Sequence, residues 1–298
     1  MVLNWNDRDS TTECLRSLRQ IEYPDFVVLV VDNGSSDGSL EWLRDNFTWA
    51  TFIENGRNLG CSGGFNVGIL RAIELGAEYV VCLNNDTRVE EQFLTELVGV
   101  GEVHPSAGAL CPKEYSFFEP NRIVYAGGSN GLVRRRNRGF GEVDIGQYDE
   151  VMETDMLCGA AMVLRSSALL NVGLLDSSFF FDWEDKDISA RLLRQGYTLL
   201  YVPAARIWHK GRWSSRGVIA PFRVYFNVRN GLRFAKKHYS VPKRVLFALT
   251  FLPMSVISAL ANSHDRLAGV KAIVLAIAWH LNPRYPPPDH VVVESLSG

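Results

Sequence analysis

Short apolar runs alternate along the chain with segments whose apolar residues recur every three or four positions. That is the pattern of a largely parallel sheet wrapped in helices. The clearest run is Phe26-Val27-Val28-Leu29-Val30-Val31, six apolar residues that are mostly β-branched. Thr51 to Glu54, Glu78 to Leu83, Ala107 to Cys111, Met156 to Leu164 and Thr198 to Pro203 read as further strands. Met1 to Asn6 reads as the end of a first strand, short as though the chain begins inside it. Cys14, Leu15, Leu18 and Ile21 fall at helical spacing and predict a helix over Ser10 to Gln20. Further helices are predicted over Ser39 to Asn46, Phe65 to Leu75, Glu90 to Gly101 and Arg165 to Asn171, with one opening near Asp187 and running to Gly196. Pro112 to Asp155 looks irregular, rich in Gly, Arg and aromatic residues. A segment this long in a compact domain is expected to be a lid or substrate loop, and its Arg134-Arg135-Arg136 run a solvated turn.

The chemistry sits where strands stop. In open parallel sheets ligands bind at the carboxyl ends of the strands. The run ending at Leu83 stops in Asn84-Asn85-Asp86-Thr87, with an amide and a carboxylate two positions apart and so on one side of an extended segment. Such a pair can reach a hard cation or a sugar diphosphate; it is equally the make-up of an ordinary turn. Asp32, followed by Asn33-Gly34-Ser35-Ser36-Asp37-Gly38, could accept hydrogen bonds from a pyrimidine ring or a ribose, or belong to a plain capped turn with Asp37 as the cap. Asn55 to Gly68 is dense in glycine before a helix, which lets backbone approach a ligand closely and favours phosphate. It is neither a Walker A loop nor a dinucleotide fingerprint. Arg57 is placed to contact a diphosphate. Glu184, Asp185 and Asp187 follow the aromatic run Phe179-Phe180-Phe181 at a helix start. The helix dipole stabilises carboxylates there by roughly 0.3–1 kcal/mol each; a general base needs the same placement. His209, after the last strand, is a structural histidine or a metal ligand.

Composition narrows the class. The 298 residues, 47% of them hydrophobic, suit one large α/β domain or a domain with an appendage. Cys14, Cys61, Cys82, Cys111 and Cys158 show no paired spacing, which excludes a disulfide frame or a zinc site and points to reduced thiols. The opening residues carry neither a basic segment nor an apolar one of the secretory kind, so a cytoplasmic location is expected. Net charge is −2, but from Pro221 onward there are ten Lys/Arg against three Asp/Glu, leaving 21 basic and 30 acidic residues before it. An acidic body with a basic, apolar tail is expected to meet a membrane surface rather than nucleic acid. Phe222 to Tyr239 is amphipathic and basic. Val245 to Ala261 is apolar but broken by Pro253, and Leu267 to Leu281 is apolar with one lysine. Both runs fall short of the ~20 residues a spanning helix needs, so an interfacial pair of helices is expected, with core or dimer-interface helices and a spanning hairpin as alternatives. Pro283 to Pro288 is expected to end the ordered structure.

Five segments together resemble glycosyltransferase family 2, inverting enzymes with a GT-A fold, over roughly residues 1–235. They are Asn4-Trp5-Asn6; Val31 to Asp37; Asn58-Leu59-Gly60 with Gly63, Gly64 and Asn66; Leu83 to Thr87; and Trp183-Glu184-Asp185-Lys186-Asp187 through His209. Within the family the chain looks most like bacterial rhamnosyltransferases of cell-surface polysaccharide assembly, which use dTDP-rhamnose and often a lipid-linked acceptor. The resemblance implies an α/β, Rossmann-like GT-A fold: a mixed, mostly parallel central sheet flanked by helices, with a C-terminal helical appendage. It implies a domain over 1–220, its nucleotide-sugar half about 1–111 and its acceptor half about 112–220, and a membrane-associating tail over 221–298. Asn4, Asn6, Asp32, Arg57, Asn58, Gly60, Gly64, Asn84 and Asn85 would border the nucleotide-sugar donor. Asp86 and His209 would hold Mg²⁺ or Mn²⁺ on its diphosphate. Asp185 would be the base, with Glu184 its substitute, and Trp183, Cys158 and Gly159 would face a glycan or polyprenyl-linked acceptor. The implied location is cytoplasmic, peripheral at the inner face of the cell membrane; a homo-oligomer stays open.

Two departures stand out. Asn84 replaces the first carboxylate of the family's Asp-x-Asp, which weakens cation binding by one charge, and the first strand is short. The Gln-x-x-Arg-Trp signature of processive members is absent, so transfer of one or a few residues is expected. The rival readings are a degenerate nucleotide-sugar-binding protein without turnover and a nucleotidyltransferase. The latter should carry a basic, Gly-rich loop at the first strand, and residues 4–10 do not.

Overall fold

The computed structural model describes residues 1–131, 135–211, 220–262 and 265–281. Arg134, residues 212–219 and Pro283 to Pro288 lie outside the described residues. The first half alternates strand and helix: β1 (Val2–Asn4), α1 (Arg8–Leu18), β2 (Leu29–Asp32), α2 (Ser39–Asn46), β3 (Thr51–Glu54), α3 (Gly60–Glu74), β4 (Tyr79–Asn84), β5 (Thr87–Val89) and α4 (Phe93–Val103). Next come β6 (Ala107–Ser116), β7 (Ile123–Tyr125), β8 (Gly128–Asn130), β9 (Arg135–Asn137), β10 (Met152–Glu153), β11 (Ala161–Arg165), α5 (Ser166–Val172), α6 (Glu184–Arg194) and β12 (Thr198–His209). Three helices close the described chain: α7 (Pro221–His238), α8 (Val241–Asn262) and α9 (Arg266–Leu281).

One ten-stranded sheet runs β10-β12-β6-β11-β4-β1-β2-β3, with β5 added to β12 and β7 to β6. Strands β3, β2, β1 and β4 are parallel, and β12 is parallel to β6. Only β11, between β4 and β6, and the short β5, β7 and β10 run against a neighbour. The carboxyl ends of β1, β2, β4, β6 and β12 therefore emerge at one edge, with the start of β11 among them. Strand β2 is buried along its length and β6 is buried at all ten positions, as expected of strands covered on both faces.

Two strands are longer than the apolar pattern implied. Strand β6 continues five residues past Cys111, and β12 continues past Pro203 to His209. The β6 extension is polar and that of β12 mixed, but they pair with each other, Ile207 with Glu114 and His209 with Ser116, so tertiary pairing supplies what local propensity lacks. The 112–155 segment is likewise more ordered than predicted. Lys113, fully buried, reaches Asp144 at 2.9 Å and Asp149 at 2.5 Å, and Tyr115 Oη donates to Asp144 at 2.5 Å. A buried ammonium needs such partners, and here they pin the segment to β6.

The tail is docked on the body. Helix α7 buries Tyr225, Phe226, Val228 and Phe234, and Phe226 stacks on Phe180 at 5.5 Å. Trp183 packs against Phe234, Phe247 and Phe251. Helix α8 corrects the length argument: it runs 22 residues straight through Pro253, long and apolar enough to cross a membrane, with mean hydropathy 1.9 and 11% of that stretch buried. Proline removes one backbone bond and crowds the preceding turn, and here the helix absorbs both.

Candidate active site

A relay of hydrogen bonds links three strand ends. Asn85 Nδ2 donates to Thr11 Oγ1 at 3.0 Å, Thr11 Oγ1 to Asn4 Oδ1 at 2.7 Å, and Asn4 Nδ2 to Asp32 Oδ1 at 2.8 Å. Asp32 is buried and takes three further donors: Ser35 Oγ at 2.6 Å and the backbone N–H groups of Gly34 and Ser35 at 3.1 and 2.8 Å. Its four bonds come from its own chain, so Asp32 organises the loop after β2, and the loop's outer edge is what faces outward. Asn6, at φ 51°, joins that edge by accepting from Ser36 N at 2.8 Å. Arg57 is exposed and pairs with no carboxylate among the described residues. Its backbone lies against Gly34, where a Cβ would come within 2.6 Å of Arg57 Cα.

The glycine-rich stretch meets protein where the sequence implied a ligand. Helix α3 starts at Gly60, five residues earlier than predicted. Gly60 has φ +74°, and a Cβ there would lie 2.6 Å from Phe180 Cδ2. A Cβ on Gly64 would strike Leu3. Cys61 N donates to Phe180 O at 2.6 Å, Ser62 Oγ to Phe179 O at 2.7 Å, and Gly60 N to Asn58 Oδ1 at 2.8 Å. Gly60 and Gly64 are thus corrected from donor contacts to packing contacts, and the first two N–H groups of α3 are already taken by Asn58 Oδ1 and Phe180 O.

On the other side of β4, Asp86 and His209 come together. Asp86 Oδ1 lies 3.1 Å from His209 Nε2, and Gly211 N donates to Asp86 Oδ2 at 3.2 Å. His209 Nδ1 lies 2.6 Å from Glu114 Oε1, and Cys158 Sγ donates to Glu114 Oε2 at 3.0 Å. Burial alone would lower the histidine's affinity for a proton; the two flanking carboxylates override it and raise the pKa to about 10. Burial likewise opposes the charge on Asp86, but the histidine and the Gly211 N–H outweigh it and hold its pKa below the ordinary value. Among the described residues no group of three or more His, Cys, Asp and Glu is arranged to hold a metal ion by itself. Asn84 sits at the end of β4 with its N–H bonded to Ala160 O at 2.9 Å.

The 158–160 turn connects this cluster to the second carboxylate. A Cβ on Gly159 would lie 3.2 Å from Asp185 Oδ2, so glycine admits the carboxylate. Asp185 Oδ1 accepts from Lys186 N at 2.8 Å and from Lys186 Nζ at 3.0 Å. Glu184 differs. Its carboxyl is buried, Oε2 has no hydrogen-bond partner, and burial, then the charges of Asp185 and Asp182, push its pKa up to about 8. Burial without a partner for Oε2 sets it apart from Asp185, whose carboxylate is held by Lys186. Trp183 and Cys158 are corrected too. Trp183 is 1% exposed and faces the aromatic rings of α7 and α8, and Cys158 is buried against Glu114, so neither presents a surface to an acceptor. Glu114 itself was missed: the apolar run stops at Cys111, and the signal that would have found it is the one used for Asp86, a carboxylate just beyond a buried strand.

Comparison with known proteins gives the family and the fold. The glycosyl transferase family 2 profile matches residues 1–169. The galactofuranosyltransferase GlfT1 of Mycobacterium tuberculosis is 27% identical over 179 residues, 59% of this chain and 58% of that protein. The poly-β-1,6-N-acetyl-D-glucosamine synthase of Staphylococcus epidermidis is 23% identical over 218 residues, 68% of this chain and 47% of that protein. The chain thus spans about half the length of these curated relatives. Among solved structures, the Pyrobaculum calidifontis mannosyltransferase PcManGT in complex with GDP-Man and Mn²⁺ superposes with TM-score 0.57 at 15% identity, covering 99% of this chain and 77% of that one. TarS 1–349 of S. aureus gives 0.52 at 14% identity, covering 95% and 72%. The sheet order, the flanking helices and these neighbours identify the fold as GT-A. With more than half of its length matched by the profile, the chain belongs to glycosyl transferase family 2.

Proposed function

We propose that this chain is an inverting glycosyltransferase that moves a sugar from a nucleoside-diphosphate donor to a glycan or lipid-linked acceptor in cell-surface polysaccharide assembly. The observation that carries the reading is the convergence of Asp86–His209–Glu114 and Asp185 on the single turn 158–160 at the carboxyl edge of the sheet. Loops after β1 and β2 border the nucleotide, with Arg57 exposed beside them for the diphosphate. Asp185 accepts the proton of an acceptor hydroxyl while that oxygen bonds to the anomeric carbon from the face opposite the leaving diphosphate. One displacement follows, with inversion.

The residues at Asp86 fit a divalent cation. A carboxylate on the far nitrogen of a histidine orients the ring and raises the basicity of the near one, and Glu114 does this for His209 while Nε2 faces Asp86. Asp86, and His209 once it gives up the Nε2 proton it shares with Asp86, would hold Mg²⁺ or Mn²⁺ together with the donor's phosphates, since two protein ligands fill only about a third of an octahedral shell. When bound, the cation neutralises charge gathering on the departing diphosphate. The resemblance to rhamnosyltransferases suggests dTDP-rhamnose as donor, whereas the relatives are named for galactofuranosyl transfer and for poly-N-acetylglucosamine synthesis. Helices α8 and α9 expose Val241, Val245, Leu249, Ile257, Leu267 and Val274 beside Lys243, Arg266 and Lys271, the make-up of an interfacial pair on an anionic bilayer at the inner face of the cell membrane.

A donor-hydrolysis and transfer panel over nucleotide sugars, run with Mn²⁺, tests the reading and names the sugar. Asp185→Asn should cut turnover by about 10²–10⁴-fold and leave nucleoside-diphosphate affinity within about two-fold. Unchanged turnover removes Asp185 as the base. Nucleotide binding without hydrolysis or transfer of any donor favours a degenerate binder.

A further inference from the structure

Directly before Asp185 the backbone does something costly. Asp182 and Trp183 both have positive φ, +65° and +79°. Asp tolerates the left-handed region, but for a large aromatic residue it is a true outlier. Consecutive strained residues persist only where the surroundings over-determine them. The strain has a geometric consequence. Trp183 is the N-cap of α6, so the turn sets the direction in which that helix starts and hence where Asp185, its second residue, points.

Helix α7 is what holds the turn. Asn230, fully buried, donates through Nδ2 to Phe181 O at 2.7 Å and to Asp182 O at 2.9 Å. Its amide cannot be reversed without loss, because Arg229 Nε donates to Asn230 Oδ1 at 2.9 Å and so fixes the NH₂ toward the two carbonyls. Arg229 Nη2 also takes Ser178 O at 2.9 Å, and Asn227 Nδ2 takes Asp182 Oδ2 at 3.2 Å. Three residues of one helix thus grip positions 178–182. Further along, Lys237 and His238 reach the fully buried Asp187 at 2.8 and 2.7 Å, tying the first turn of α6 to the same helix.

We infer that Asn230 is a positioning residue for transfer: its amide clamps the left-handed Asp182–Trp183 turn and thereby sets the base Asp185 against the 158–160 turn. Helix α7, which composition assigns to the tail, is on this account part of the catalytic scaffold. The inference rests on Asp185 being the base. Among the described residues, the side chains of Asn227 and Asn230 make no hydrogen bond to the loops after β1 and β2, so donor binding is separable from the clamp.

The test uses the full chain and Asn230→Asp, which keeps the volume and the acceptor for Arg229 and removes the NH₂ donor. Expected are a fall in kcat of about 10–100-fold and a donor KM within about two-fold of the parent. Hydrogen exchange should speed up by about ten-fold or more at the amides of Trp183 and Asp187, which bond to Asp182 Oδ1 and Trp183 O. Asn227→Ala, which removes one partly buried bond, should show the same pattern at smaller amplitude and serves where Asn230→Asp fails to fold. Parental kcat in either folded variant overturns the inference, as does a loss carried by KM alone. If the parent itself transfers no sugar, the transfer reading fails, while the exchange arm still reports whether Asn230 holds the turn; unchanged exchange at Trp183 and Asp187 overturns the clamp on its own.

Discussion

Gly60→Ala separates two accounts of the glycine-rich stretch. If these glycines exist to admit a donor, alanine at Gly60 should spare the fold and weaken donor binding. The structure places Phe180 there instead, with its ring Cδ2 and Cγ 2.6 and 2.7 Å from the new Cβ and its carbonyl in closer contact still. Gly76, just past the other end of α3, is the matched control: its φ is +82° against +74°, and a Cβ there meets nothing within 4 Å. The left-handed backbone costs both variants about 1–2 kcal/mol. Gly60→Ala must also push back Phe180, costing about 1–3 kcal/mol as overpacking, and stretch the 2.6 Å bond from Cys61 N to Phe180 O, costing about 1 kcal/mol more. The difference between the variants is therefore about 2–4 kcal/mol. At roughly 2 °C per kcal/mol for a chain of this size, it is about 4–8 °C in Tm. Thermal and urea unfolding without nucleotide measure it directly. Equal Tm for the two variants, with donor affinity lost only in Gly60→Ala, would refute the packing account and return the glycine to the ligand.

Three further outcomes follow from the same geometry. Glu184 has its pKa raised by burial to about 8, so the folded state holds a proton that the unfolded chain releases above its ordinary pKa of 4.5. Stability should then fall as pH rises from about 4.5 to about 8 and level off above, by on the order of 5 kcal/mol; Glu184→Gln should remove that slope, and parallel Tm–pH curves would show the carboxyl to be ionised. Glu114→Gln keeps the shape beside His209 but loses the orienting charge, so Mn²⁺ affinity in the presence of nucleoside diphosphate should drop about 10–100-fold by calorimetry; an unchanged titration removes Asp86–His209 as the cation site. Replacing exposed Leu249 and Ile257 of α8 with Glu should cost about 3 kcal/mol of apolar burial at a bilayer, about 100-fold in partition to anionic liposomes. Undiminished co-sedimentation would mean this face does not touch lipid.

What could be read along the chain and what could not divides by the range of the interactions involved. Strand ends announce themselves locally, because a buried β-branched run must stop and a polar residue must follow. Asp32 and Asp86 stand out on that ground, Asp185 instead as a carboxylate at a helix start, and the structure sets Asp86 3.1 Å from His209 although 123 positions separate them. Trp183 and the glycines were misread because their partners lie far off in sequence. Nothing near Gly60 says that Phe180 will fill the space above it, and an aromatic residue before a carboxylate looks the same whether its ring faces a pocket or Phe247 and Phe251. Glu114 was missed for a related reason: β6 outlasts its apolar run only because β12 pairs with it.

The same reasoning bears on the tail. Basic charge and an apolar face describe α7 as well as they describe a membrane anchor, so composition alone could not tell the two roles apart. Hydrogen bonds do. The amides of Asn227 and Asn230 are spent on the 181–182 backbone and side chain of the body, and Lys237 on Asp176 and Asp187. The exposed apolar residues begin at Val241, one helix later. The hydrogen bonds thus group α7 with the body. A chain ending at Tyr239 keeps the grip on the Asp185 turn but loses Phe247 and Phe251 from around Trp183, so any loss of turnover in such a truncation reports on that ring as well as on the bilayer. Point substitutions on the outer face of α8 leave the ring packing in place, and for that reason they isolate the membrane contribution where truncation cannot.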